Sequence, residues 1–157
     1  MLGQNEARSL ALFFFYACLD EARAKETASR AADEYERLLK NDPEMDPVQA
    51  VVKASSKVWT LVRARMPRGR PSYANGSGWI LPANADLGHW KEFQKSAPED
   101  ELLAVIWILI LGFKEESVSR ALKLTEGTLR HRVGRGVRKL GNQLSGTGRP
   151  FRPMRLQ

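Results

Sequence analysis

Arg130, Arg132, Arg135 and Arg138, with His131 among them, fall in one stretch of nine residues, preceded by Thr125, Gly127 and Thr128. Guanidinium groups bind phosphate oxygens and base edges. Hydroxyls and backbone N–H groups at a helix start hold a phosphate, and a glycine there lets a backbone come close. This is the chemistry of polyanion recognition. The sequence offers catalysis little: there is no nucleophile–base pair and no glycine-rich phosphate loop, and His131 has no implied Ser, Cys or carboxylate partner. Cys18 is the one cysteine, and the two histidines, His89 and His131, lie far apart. A disulfide framework and a Cys-cluster or His-based metal site are therefore not expected, and neither is a cofactor or an enzyme activity.

Such cations act only if an element presents them. Leu129, Val133, Val137 and Leu140 predict a helix with its apolar stripe inward, and the remaining surface carries Thr128, Arg130, His131, Arg132, Gly134, Arg135 and Arg138. A short helix over Glu115 to Lys123, with Val118, Ala121 and Leu122 inward, precedes it across a turn at Leu124-Thr125. Short helix, tight turn and longer basic helix form a helix-turn-helix signal. The second helix must fit a major groove about 12 Å wide, which places Arg130 and His131 at base edges and Arg135 and Arg138 at phosphates. A third helix, Leu102 to Leu111, opens at the capping-box spacing of Ser96 to Glu99 and closes at Gly112.

The charge pattern separates the ends of the chain. The 157 residues carry a formal +7. Residues 1–50 hold 6 Lys+Arg against 10 Asp+Glu, residues 51–97 hold 8 against 2, and residues 98–157 hold 11 against 6. The basic end is the expected anion-binding end, nucleic acid before membrane. The acidic end repels DNA and, if it binds anything, suits a protein. The apolar run Leu102 to Leu111 is about half a membrane span. The run Leu10 to Leu19 ends near Cys18 as a lipoprotein signal would, but it passes straight into a charged helical pattern. The expectation is a cytoplasmic protein with a reduced, buried Cys18.

The N-terminal part reads as three helices. They span Glu6 to Arg23, Lys25 to Lys40, and a helix from the N-cap Asp46 and Pro47 to Met66, with Trp59 as core. Phe13, Phe14 and Phe15 exceed what one face buries, which implies contact with another domain or a partner. Pro67 to Ala85 has no helical period, and a short helix over Leu87 to Lys95 follows. The fold class is all-α.

Gly112 to Leu140 resembles region 4 of bacterial sigma factors, especially the short extracytoplasmic-function group. The core of the likeness is Gly127-Thr128-Leu129-Arg130-His131-Arg132-Val133-Gly134-Arg135. Lys123 stands where the family has Gly, and Gly136 where it has Ala. Val58 to Arg65 and the three helices before it resemble region 2 in order. The resemblance implies a helical module at 1–68, a linker at 69–95, a helix-turn-helix domain at 96–142 and a basic disordered tail at 143–157. It implies a transcription initiation factor that binds double-stranded promoter DNA through the helix-turn-helix and the RNA polymerase core through its helical domains, with an anti-sigma protein as a further class of partner. DNA contacts would come from Thr125, Gly127, Thr128, Arg130, His131, Arg132, Arg135 and Arg138. A stand-alone helix-turn-helix regulator without a polymerase role, or an adaptor whose basic helix docks on an acidic protein, are the rival readings.

Overall fold

A computed structural model describes residues 2–65 and 87–147, and its fold is all-helical. The helices are α1 (Gln4–Cys18), α2 (Glu21–Asn41), α3 (Pro47–Val62), α4 (Gly88–Ser96), α5 (Glu99–Val105), α6 (Glu115–Leu122) and α7 (Glu126–Thr147). A 3-10 turn, Arg63–Arg65, follows α3, and a π-helical segment, Ile106–Ile110, continues α5. Among the described residues no helix is long and apolar enough to cross a membrane. Residues 66–86, which include Pro67 to Ala85, and the tail beyond Thr147 lie outside the described residues.

α1 is the centre of the molecule. From Leu12 to Leu19 every residue is buried, because the sequence is apolar around the whole helix circumference. α2 and α3 cover one side of α1, and α4 and the π-helical segment cover another. The three phenylalanines are all inside: Phe13 stacks on Trp107 at 5.4 Å, so the expected second contact is made within the chain. Tyr16 meets Trp90 edge to face at 5.2 Å. A buried helix end needs partners for its last carbonyls. Leu19, at φ 53°, returns its N–H to Phe15 O. The Trp90 indole donates to Tyr16 O at 2.8 Å, and the Gln94 amide donates to Ala17 O at 3.0 Å. The Cys18 thiol donates to Phe14 O, and burial pushes it up to about 11.

Several expected boundaries move. The first helix stops at Cys18 instead of Arg23, because Asp20 caps α2 through Arg23 N–H at 3.0 Å. α3 begins as expected, with Asp46 accepting from Val48 N–H and Pro47 in the first turn. The capping box at Ser96 does not form: the Ser96 hydroxyl bonds back to Glu92 O at the end of α4, and Pro98 precedes α5 without a side-chain cap. The short helix expected over Leu87 to Lys95 is present as α4, and it buries Trp90 and Phe93, so the end of the 69–95 linker packs into the core. α7 runs through Gly141 to Thr147, into the stretch read as disordered tail. One interior glycine costs a helix only about 1 kcal/mol, and no proline intervenes before Pro150.

α2 and α3 are also joined by charge. Glu34 accepts from Arg37 and from Lys57 Nζ at 3.1 Å, and the Arg37 guanidinium first, then Lys57, holds its carboxyl below the usual range against the opposing effect of burial.

The inner stripe of α7 differs from the expected one. Leu129 and Leu140 are buried and Val133 partly so, but Val137 is 43% exposed and Gly136 is buried in its place. At about 100° per residue, positions 129, 133, 136 and 140 share one face, while 137 lies about 80° away from 129. A Cβ on Gly136 would overlap the buried Val105 side chain, whereas one on Gly134 would meet nothing within 4 Å. Gly136→Ala is therefore expected to destabilise the protein by about 1–3 kcal/mol, by overpacking. Gly134→Ala should stabilise it by about 0.5–1 kcal/mol, by helix propensity. Urea denaturation of the two variants checks both signs.

Candidate nucleic-acid interface

α6 and α7 are joined by Lys123, Leu124 and Thr125. Lys123 ends α6 in the left-handed conformation, φ 58°, and Leu124 N–H returns to Ser119 O at 2.9 Å. That closure turns the chain sharply between the two helices. Lysine thus adopts a backbone conformation better suited to glycine. Val118, fully buried, and Leu129 hold the pair against the core. The α3 end is tied to α6 by the Ser117 hydroxyl, which donates to Asp46 Oδ2 at 3.1 Å.

α7 begins at an open end. Thr125, Gly127 and Thr128 are all exposed. Thr125 Oγ1 accepts from Thr128 N–H at 3.1 Å, and its hydroxyl donates to Thr128 Oγ1 at 2.9 Å. The cap fixes the first turn, and the helix dipole adds partial positive charge at this exposed end.

The five basic side chains expected at the interface divide by what they touch. His131 and Arg138 are exposed, and with Gly127 and Gly134 they share the face opposite the core stripe. Arg138 Nε bonds Gly134 O at 3.3 Å and has no carboxylate partner among the described residues. Arg130, 61% exposed, flanks that face and is oriented by Glu115 at 2.9 Å and Glu126 at 3.8 Å. Ion pairs this exposed are worth about 0–1 kcal/mol, so an incoming phosphate or base can displace them.

The other two turn toward α5. Arg132, 30% exposed, lies 3.7 Å from Asp100. Arg135 Nε lies 3.2 Å from Glu101 Oε1, although the side chain is 55% exposed. Lys139 also donates to Glu101, at 2.6 Å to Oε2. Glu101 is only 3% exposed, so these two cations neutralise a buried carboxylate and hold α7 to α5. Of the eight residues read as DNA contacts, six gather on the open end and outward side of α7, while Arg132 and Arg135 are engaged inward. Lys139 had no assigned role in the sequence. Its partner lies 38 positions away, a separation at which helical spacing carries no information.

Comparison with protein-family models, with curated proteins and with solved structures finds no match for this chain.

The division predicts opposite consequences for neighbouring cations. Replacing both Arg135 and Lys139 by Ala leaves Glu101 without its partners and is expected to cost about 3–5 kcal/mol. Arg138→Ala should change stability by less than about 0.5 kcal/mol. Thermal or urea unfolding of the two variants measures the contrast.

Proposed function

We propose that this chain is a DNA-binding transcription regulator whose α7 enters the major groove. The observation that carries the reading is the outward face of α7. It is the second helix of a pair joined by a three-residue turn, and it presents exposed His131 and Arg138 flanked by exposed Arg130. A helix of 22 residues is about 33 Å long, enough to follow the groove and leave its N-terminal turns against base edges. In this reading Arg130 and His131 read bases. Arg138, Thr125 and Thr128 hold phosphates, and Gly127 allows close approach. Arg132 and Arg135 position the helix through α5 and add positive potential.

We further propose that it acts as a sigma-like initiation factor with the RNA polymerase core, on the strength of the likeness over Gly112 to Leu140. One observation favours the rival in which the protein works without polymerase. α1 is enclosed between α2–α3 and α4 with the π-helical segment, so the N-terminal helices are engaged with the rest of the chain. Retention of core polymerase by the immobilised full chain, followed by transcription from a bound promoter, distinguishes the two. No retention removes the sigma-like role and leaves DNA binding to be judged separately.

DNA binding itself is tested by fluorescence anisotropy with duplexes enriched for binding. Arg130→Ala is expected to weaken binding by about 1–3 kcal/mol and relax preference at one base position. Arg138→Ala should weaken binding to all sequences and reduce the salt slope by about 1. Unchanged affinity when Arg130→Ala and Arg138→Ala are combined would remove α7 as the DNA-reading element.

A further inference from the structure

Where α3 passes the start of α5, an open cleft of about 190 Å³ lies on the seam between the N-terminal and C-terminal helices. Trp59, Leu103, Trp107 and Leu122 form the apolar part of its lining, beside the polar Ser56 and Thr60. An apolar cavity of about 150 Å³ suffices for benzene, and drug-sized sites start at about 300 Å³. That apolar part is the size of one branched-aliphatic or single-ring group.

The rim carries two opposite-charge pairs in different states. Arg63 and Glu99 are engaged at 2.5 Å, and Glu99 also accepts from the Trp59 indole. Arg132 and Asp100 stand 3.7 Å apart, beyond hydrogen-bond distance, with Asp100 53% exposed. Asp100 Oδ1 accepts from Glu101 N–H at 2.9 Å, so the second pair leaves donors on Arg132 and acceptor capacity on Asp100 Oδ2 for a third party. A ligand bearing only a carboxylate would meet the repulsion of Asp100, and one bearing only an amine would meet that of Arg132. A zwitterion satisfies both.

We propose that the cleft is a binding site for a free α-amino acid with an apolar side chain. Its carboxylate rests on the Arg132 guanidinium, its ammonium on Asp100, and its side chain over Trp59 and Trp107. Because one wall comes from α3 and the other from α5 to α7, an occupant ties the two halves of the protein together. The site stands on its own residues and does not depend on the DNA-binding reading.

The test is titration of the full chain with L-leucine and L-phenylalanine while the tryptophan indole N–H signals are followed by NMR. Saturable shifts are expected for Trp59 and Trp107 below about 10 mM, with Trp90, hydrogen-bonded to Tyr16 O, unmoved. 4-Methylpentanoate and 3-methylbutylamine, each lacking one charge, should bind at least about tenfold more weakly. Arg132→Ala and Asp100→Ala, both near the surface, should each weaken leucine and phenylalanine binding by at least about tenfold while keeping a folded spectrum. The absence of saturable shifts at Trp59 and Trp107 would overturn the proposal. So would equal binding of the singly charged analogues, or undiminished binding by both variants.

Discussion

A helix end with no solvent face must find hydrogen-bond partners for its terminal carbonyls inside the protein, and the C-terminal half of α1, buried from Leu12 to Cys18, is such an end. The Trp90 indole and the Gln94 amide, both on α4, supply them at Tyr16 and Ala17. An unsatisfied buried carbonyl costs about 1–3 kcal/mol, so α4 cannot leave α1 cheaply. Trp107 extends the same seam, stacking on Phe13 and donating to Ser55 Oγ on α3 at 3.1 Å. From this contact outward everything else is placed. α4 and the π-helical segment rest on α1, α6 rests on α3, α7 rests on α4, α5 and α6, and the outward face of α7 is presented as a consequence.

The charges of α7 follow that placement. The side nearer α5 meets Asp100 and Glu101, and its cations neutralise them. On the far side His131 and Arg138 are exposed, and Arg130 at its edge is exposed beside Glu115 of α6. One basic helix thus carries two chemically similar sets of residues with different work. Arg135 and Lys139 keep a buried carboxylate compatible with the core, while Arg130 and Arg138 remain available to an anion. A composition of Arg and Lys alone does not separate them; which helix lies opposite does.

The periodicity of α2, the Asp46-Pro47 start of α3 and the pairing of α6 with α7 were all legible in the sequence, because each rests on residues within a few positions of one another. So was the demand of Phe13 to Phe15 for a second contact, though not where it would be found. The break at Leu19 was less legible because its cause is a backbone conformation, φ 53°, adopted by a residue that disfavours it. Val137 is apolar and its spacing from Leu129 and Val133 predicts an inward position, whereas the geometry of the helix gives that place to Gly136, whose lack of a side chain lets α7 approach Val105. Ser96 matched a capping spacing but closes the helix before it. The roles of Arg132, Arg135 and Lys139 depend on acids more than 30 positions away, and only the fold brings them together.

The central claim is that the outward face of α7 reads duplex DNA. The most direct measurement is selection of bound duplexes from a random library by the full chain, with and without RNA polymerase core. The account predicts an enriched motif of a few base pairs, carried by the wild-type chain and lost when Arg130, His131 and Arg138 are replaced together. No enriched motif under either condition, or the same motif from the triple variant, would contradict it.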